Sequence, residues 1–463
     1  MKNRNHFLYI VILLLGAGVQ LTSCDSFVDT GLPNSQLTGE AVFENATTAN
    51  AALSNLYSDI RDKGMFSGNQ AGLSNTLGVY TDELGFYGSN AQSGFYFYNN
   101  ALVANNFEVA SYWTTAYNQI YQANAIIEGL SQSQTILQQD KDRMTGEALA
   151  IRAFLHMYLT GIFGAVPYVD STDYNVNTRI SKLDQDDVYT TVIADLLEAL
   201  AILPENNMPQ GRARINREVV QALLSRVYLY TGNWSEAAEA ASLVIEQSAD
   251  YSLSTNIENT FLKESPETLW QLPPATEGNY TAMATTFTVL TAPPSASVLS
   301  DGLINGFEAA DNRKQYWTGQ VTDGTAVWYY PAKYKQTTVE STSSEYTVIF
   351  RLAELHLIRA EARLMLGDIT GAKSDINLIR ERAGLLPTSA TTQNDLLQAV
   401  ARERRFEFFT EFGHRFFDLK RTGQLDATLT PVKQGWDNHD ALFPLPESEL
   451  ILNPNLLPQN TGY

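Results

Sequence analysis

Four aromatic side chains in a row, Phe95 to Tyr98, run into the amides of Asn99 and Asn100 in the stretch "SGFYFYNN". A pyranose shows C–H groups on its face and hydroxyls around its rim. Rings that stack, with amides that donate and accept, are the side chains that hold one. Read as extended chain, the stretch alternates, so Phe95 and Phe97 turn to the core and Tyr96 and Tyr98 to the other face. Those tyrosines, with Asn99 and Asn100, form a candidate sugar platform. Further candidates are Tyr280 in "TEGNYTAM" and Trp328, Tyr329 and Tyr330 in "DGTAVWYYP", with Trp317 in "DNRKQYW" a weaker one. Trp113 and Trp270 read as core, the first on a helical stripe and the second in a strand.

Other chemistries fare worse. The carboxylates of Asp82 and Glu83, or of Glu407 and Glu411, would be the first suspects for a glycosidase pair. Glu403, Glu407 and Glu411, however, are expected on one helix with Arg402, Arg404 and Arg405, and Arg415, Asp418 and Arg421 follow closely. Alternating charge of that kind reads as structural ion pairs. The histidines, at 6, 156, 356, 414 and 439, have no short metal spacing, and neither a phosphate-cradling glycine loop nor a GxSxG elbow is present. "EFGH", Glu411 to His414, matches the Glu-x-x-His of di-iron bundles, but that site needs a second copy, which the sequence lacks. Neither a catalytic residue, nor a metal, nor a cofactor is expected.

The elements that must position these residues are mainly helices. Trp113, Tyr117, Ile120, Asn124 and Ile127 recur at spacings of three and four, which predicts a helix over 112–130. A second helix is expected over 139–163, ending at "GAVPY". Two later segments resemble each other when Gly232 is laid on Gly367. Each reads as helix, tight turn, helix, with Ala237 and Ala372 small enough for close packing. That is the tetratricopeptide pattern, a hairpin that stacks on its neighbours. The pairs at 112–163 and 396–419 read as degenerate copies. Between the clear copies, from about Tyr251 to Ser344, the composition turns to Thr, Ser, Pro, Gly and aromatics without helical period. This reads as a loop-rich insert with short strands, "ETLWQL" and "YTVIF" among those predicted. Binding residues concentrate on loops carried by a rigid scaffold.

The N-terminus gives an address. Lys2 and Arg4 precede an apolar run from Phe7 to Val19, closed by "LTSC" at Cys24, the only cysteine of 463 residues. The run is shorter than the roughly 20 residues of a membrane-spanning helix, so it reads as a signal peptide over 1–23. Cys24 reads as the acylated residue of a bacterial lipoprotein, with a tether over 24–37 and one domain over 38–463. A formal charge of -20 disfavours nucleic acid and polyanionic glycans. An aromatic content of 11 %, with 23 tyrosines, is more than a core requires and points to exposed rings.

Six segments in order resemble the SusD/RagB family of Bacteroidetes outer-membrane lipoproteins. They are the Cys24 lipobox, "YWTTAYNQIYQANAII", "ALAIRAFLHMYLTGIFGAVPY", "RLAELHLIRAEA", "RERRFEFFTEFGHRFFDLKRTG" and "LFPLPESELILNPNL". The resemblance implies a tetratricopeptide-like scaffold with a loop-rich glycan-binding face. It further implies a SusC-like TonB-dependent barrel as partner, and no catalysis. The 93–100 stretch then stands where the family carries part of its binding arc, and Asp311 and Arg313 are expected to pair within a structural element. The function so implied is capture of an oligosaccharide at the cell surface and delivery to the barrel. A peptide-capturing, RagB-like protein serving the same kind of transporter is the alternative.

Overall fold

The computed structural model describes residues 39–205 and 208–463. The predicted signal peptide, Cys24 and the tether lie outside those residues. The chain divides into two compact units, Met1–Val42 and Phe43–Tyr463. The described part of the first includes a short helix, Gly39–Val42. The other described residues, from Phe43 on, belong to the second unit.

Its scaffold is helical, as the resemblance and the periodicity imply. Helix α1 (Ala46–Asp62) starts where the Asn45 side chain accepts from the N–H groups of Thr47 and Thr48, both at 3.0 Å. Helix α2 (Leu73–Tyr80) leads through strand β1 (Leu84–Phe86) to the one-turn helix α3 (Gly94–Tyr98). Two long helices, α4 (Phe107–Gln132) and α5 (Gln138–Phe163), then pack side by side, and α6 (Gln185–Ile202) lies against α5. Arg152 of α5 joins all three: it donates to both carboxylate oxygens of Asp195 at 2.7 Å and to Asn124 at 2.9 Å.

The two glycine hairpins form as predicted. Helices α7 (Arg217–Thr231) and α8 (Trp234–Ile245) turn at Gly232, and α9 (Leu352–Met365) and α10 (Ile369–Arg382) turn at Gly367. These glycines have φ of 75° and 86°, a left-handed conformation that side chains disfavour, so each ends its helix. Ala237 and Ala372 are completely buried where the paired helices meet. Helix α8 packs on α9, joining the two hairpins across the intervening insert, and α11 (Gln393–Glu407) packs on both α9 and α10.

Helix α11 ends at Glu407 and α12 (His414–Arg421) begins after a bend. Glu411 therefore lies in the bend and not on one helix with Glu403 and Glu407, as the charge pattern suggested. Positive φ at Thr410, Phe412 and Gly413 makes that bend.

Strands are short and come in pairs. The predicted strands β2 (Thr268–Leu272) and β6 (Thr347–Arg351) pair antiparallel and are wholly buried. Strand β3 (Ser297–Leu299) pairs with β1. Strands β4 (Thr318–Thr322) and β5 (Val327–Pro331) form a hairpin in the insert, and β5 packs against β3.

Candidate aromatic binding surface

The hairpin decides which of its rings face outward. Its turn is fixed by Asp323, whose Oδ1 accepts from the N–H groups of Thr325 (2.8 Å) and Ala326 (2.9 Å). In the ladder Trp328 faces Val321, Tyr329 faces Gln320 and Tyr330 faces Gly319. A period of two sends Trp328 and Tyr330 to one face and Tyr329 to the other. Tyr329 packs against the main core, with Lys314 Nζ 5.9 Å from its ring. The Tyr330 ring lies against the neighbouring strand at Gly319. A Cβ at Gly319 would fall 2.3 Å from its ring, so glycine is what permits the ring to settle there. Trp328 and Tyr330 stay half-exposed.

The second part of the surface comes from the other end of the sequence. Pairing of β1 with β3 carries Tyr87, whose N–H donates to Ala296 at 3.1 Å, up to the hairpin. The rings of Tyr87 and Trp328 meet edge to face at 6.4 Å and 87°. Tyr87 is 51 % exposed. The sequence reading did not single it out; the only signal was an aromatic residue next to the predicted platform.

The platform itself is a turn of helix, which corrects the extended reading. Five residues are too few for periodicity to separate a strand from a helical turn, and packing chooses. Phe97 inserts into the core against Tyr80, Tyr112 and Phe443, while Phe95 remains half-exposed and is not a core residue. Tyr96 is 43 % exposed. Tyr98 is half-buried between the Phe86 ring at 6.3 Å and the Lys433 ammonium at 4.0 Å. Burial pushes Lys433 down to about 7, and its Nζ donates to the Val79 carbonyl at 2.6 Å. Asn99 is half-buried and its amide returns to the Phe95 carbonyl at 2.8 Å.

Two candidates cannot hold a sugar. Asn100 is 6 % exposed, takes a left-handed φ of 49° and donates to the Tyr80 carbonyl at 3.1 Å, so it secures the turn instead. Trp317 is 1 % exposed; its indole N–H donates to Ile257 at 3.0 Å, and Lys333, Arg351 and Arg382 stand 5.1 to 5.8 Å from its ring. A ring so enclosed has no face to offer. Tyr280 is half-buried on a turn held by Ser343, and among the described residues no ring contact joins it to Trp328 or Tyr98. Trp113 and Trp270 are core, as read.

The suspected carboxylates are all committed elsewhere. Asp82 is bound by Arg405 and Arg415, both at 2.8 Å. Glu83 is buried without a cation in contact, and desolvation raises its carboxyl to about 8. Glu407 is shared by Arg351, Arg382 and Arg313, which hold it well below the usual carboxylate range. Glu411 lies between Arg351 at 2.9 Å and Lys333 at 2.5 Å. The expected pair of Asp311 with Arg313 forms at 2.8 Å. Apart from Glu83, which is buried and unpaired with a cation, these carboxylates are engaged in ion pairs.

Comparison with known proteins agrees with the fold. Residues 305–463 match the model of the SusD family, and residues 35–229 match one described as starch-binding associating with outer membrane. SusD-like protein P2 of Formosa agariphila is 27 % identical over 98 % of this chain and 99 % of its own. Among solved structures, a SusD superfamily protein of Bacteroides vulgatus superposes with a TM-score of 0.77 at 21 % identity, covering 90 % of this chain and 99 % of that one. A laminarin binding SusD-like protein superposes with a TM-score of 0.76 at 24 % identity, covering 91 % and 100 %. Among the described residues no helix is long and apolar enough to cross a membrane, and no cluster of His, Cys, Asp and Glu is suited to a metal ion.

Proposed function

The chain belongs to the SusD family, and from that premise we propose that it is a non-catalytic glycan-capture lipoprotein of the outer-membrane surface. It takes up a neutral oligosaccharide on the surface made by Tyr87, Tyr96, Trp328 and Tyr330, with Tyr98 and Asn99 behind. It then passes the sugar to a SusC-like TonB-dependent barrel, while an acylated Cys24 holds it at the membrane. The observation that carries this reading is the contact of Tyr87 with Trp328. Two segments some 240 positions apart in sequence are brought together at half-exposed rings that the core does not absorb.

Three stacked rings at roughly 1 to 2 kcal/mol each give about 3 to 6 kcal/mol before ordering costs. With hydrogen bonds added and those costs subtracted, the dissociation constant falls between about micromolar and millimolar. Such an affinity suits capture followed by release.

Calorimetry of the purified protein against neutral polysaccharides, laminarin included, and a mixed peptide pool tests the reading. Heat with a glycan, lost in Trp328→Ala, is the expected result. Heat with peptides alone would replace glycan capture by peptide capture and leave the rings as packing.

A further inference from the structure

Away from these rings, a groove of about 540 Å³ opens between α4, the segment 167–180 and the short helix Glu447–Leu452. No residue of the aromatic surface lines it. Three of its rings stand one turn apart on α4, at 113, 117 and 121, a spacing that aligns them along one helix face. Trp113 is 3 % exposed, and its ring lies 4.9 Å from that of Tyr117 at 50°. Tyr121 is exposed on the same side, and Tyr174, 75 % exposed, lines the groove from the facing segment.

One carboxylate, Glu449, joins these rings. It is half-buried; desolvation raises its pKa above the ordinary value, and the Trp113 indole N–H opposes the rise. Glu449 also acts on the Tyr117 phenol, which places the charge beside the ring line. Among the described residues, no Lys, Arg or His lines the groove. Elsewhere this chain surrounds an interior carboxylate such as Glu407 with guanidiniums. Here the positive charge is missing. Aromatic faces attract a cation through their quadrupole, the carboxylate attracts it directly, and a net charge of -20 adds a long-range pull.

The rim narrows what the cation is attached to. Asn118, exposed beside the rings, makes no side-chain hydrogen bond among the described residues, and the phenol hydroxyls of Tyr121 and Tyr174 point to no protein partner either. Stacking faces edged by donors and acceptors suit the face and rim of a pyranose. A lysine stem would cover the rings and leave those groups to water.

We propose that this groove is a second saccharide site, selective for a sugar that carries a free amino group. The ammonium sits among the Tyr117, Tyr121 and Tyr174 rings and pairs with Glu449. The site is independent of the aromatic surface assigned above, and neither needs the other.

The test is calorimetry of the purified protein at fixed salt with three probes: a β-1,4-linked glucosamine trisaccharide, its fully N-acetylated form, and trilysine. The amino trisaccharide is expected to bind at least tenfold more tightly than either of the others. Glu449→Gln, which keeps the shape and removes the charge, should erase that preference. Tyr121→Ala, at an exposed position, should weaken the amino sugar several-fold, whereas Trp328→Ala should leave it unchanged. Equal binding of the amino and N-acetyl forms, a preference that survives Glu449→Gln, or trilysine binding as tightly as the sugar would each overturn the proposal. So would absence of binding. Loss of laminarin or another neutral glycan in Trp328→Ala reports on the first site alone, so the two readings fail separately.

Discussion

Trp317 stands just before a β-hairpin and Trp328 within it, eleven residues on, and they end in opposite environments. Trp317, just before β4, is enclosed by Phe261 at 5.4 Å and by three cations, with its N–H satisfied by a backbone carbonyl. Trp328, on β5, is half-exposed and touches Tyr87 by an edge-to-face contact. The cations around Trp317 belong to a lattice in which Arg351 bonds Glu267, Glu407 and Glu411, and Arg382 bonds Glu267 and Glu407. Buried charges of that kind are tolerable only when nearly all are matched, so the lattice fixes the geometry of the chain that crosses it. The hairpin base is held rigidly, and its far end is carried into solvent. An aromatic ring is thus structural or available according to what lies on its faces, and residue type alone does not say which.

Replacing each tryptophan tests this contrast most severely. Trp317→Ala should cost about 3–5 kcal/mol of stability, the usual range for a buried tryptophan, read as a lower urea midpoint. Trp328→Ala should cost under about 1 kcal/mol in the same measurement. Similar losses in the two variants would erase the distinction.

Glu83 sharpens it from another side, since it is a buried carboxyl outside the lattice, at the foot of β1 that carries Tyr87. Folded Glu83 keeps its proton up to about pH 8, against about 4.5 for an ordinary glutamate carboxyl, with desolvation the leading cause and Asp82 adding to it. The folded chain holds the extra proton between those values. Its contribution to stability is therefore complete below about pH 4.5 and lost as the pH rises to about 8. Glu83→Gln should gain on the order of 4 kcal/mol in stability relative to the parent protein between pH 5 and pH 8.5, measured by chemical denaturation. A pH-independent difference would show that the carboxyl is ionised in the fold.

Binding effects come next. Trp328→Ala should weaken the captured glycan about tenfold, or about 1.4 kcal/mol, by calorimetry. Tyr96→Ala, at the exposed edge of α3, should cost about threefold, and Asn99→Ala less. A larger loss at Tyr96 than at Trp328 would move the centre of the site toward α3.

Much of the scaffold was legible because it is written in local patterns. Gly232 and Gly367, each followed by a polar residue and a small alanine, announce helical hairpins that the fold contains. The charge alternation over 402–421 announced ion pairs, and they form, although Glu411 sits in a bend that no periodicity revealed. The site was less legible. Ser93 to Asn100 was too short for its period to be read, Asn100 was taken by a backbone carbonyl, and Tyr87 became interesting only when β1 paired with β3.

By itself the sequence determined the helical repeats, the family resemblance, the excess of aromatic rings and the lack of a short metal or nucleophile motif. These depend on residue type and on spacings of a few positions. Only the tertiary structure decided that Trp317 is enclosed, that Trp328 meets Tyr87, and that Glu449 lines a ring-walled groove without a cation. Exposure and pairing are set by contacts between segments far apart in the chain, and no local spacing encodes those.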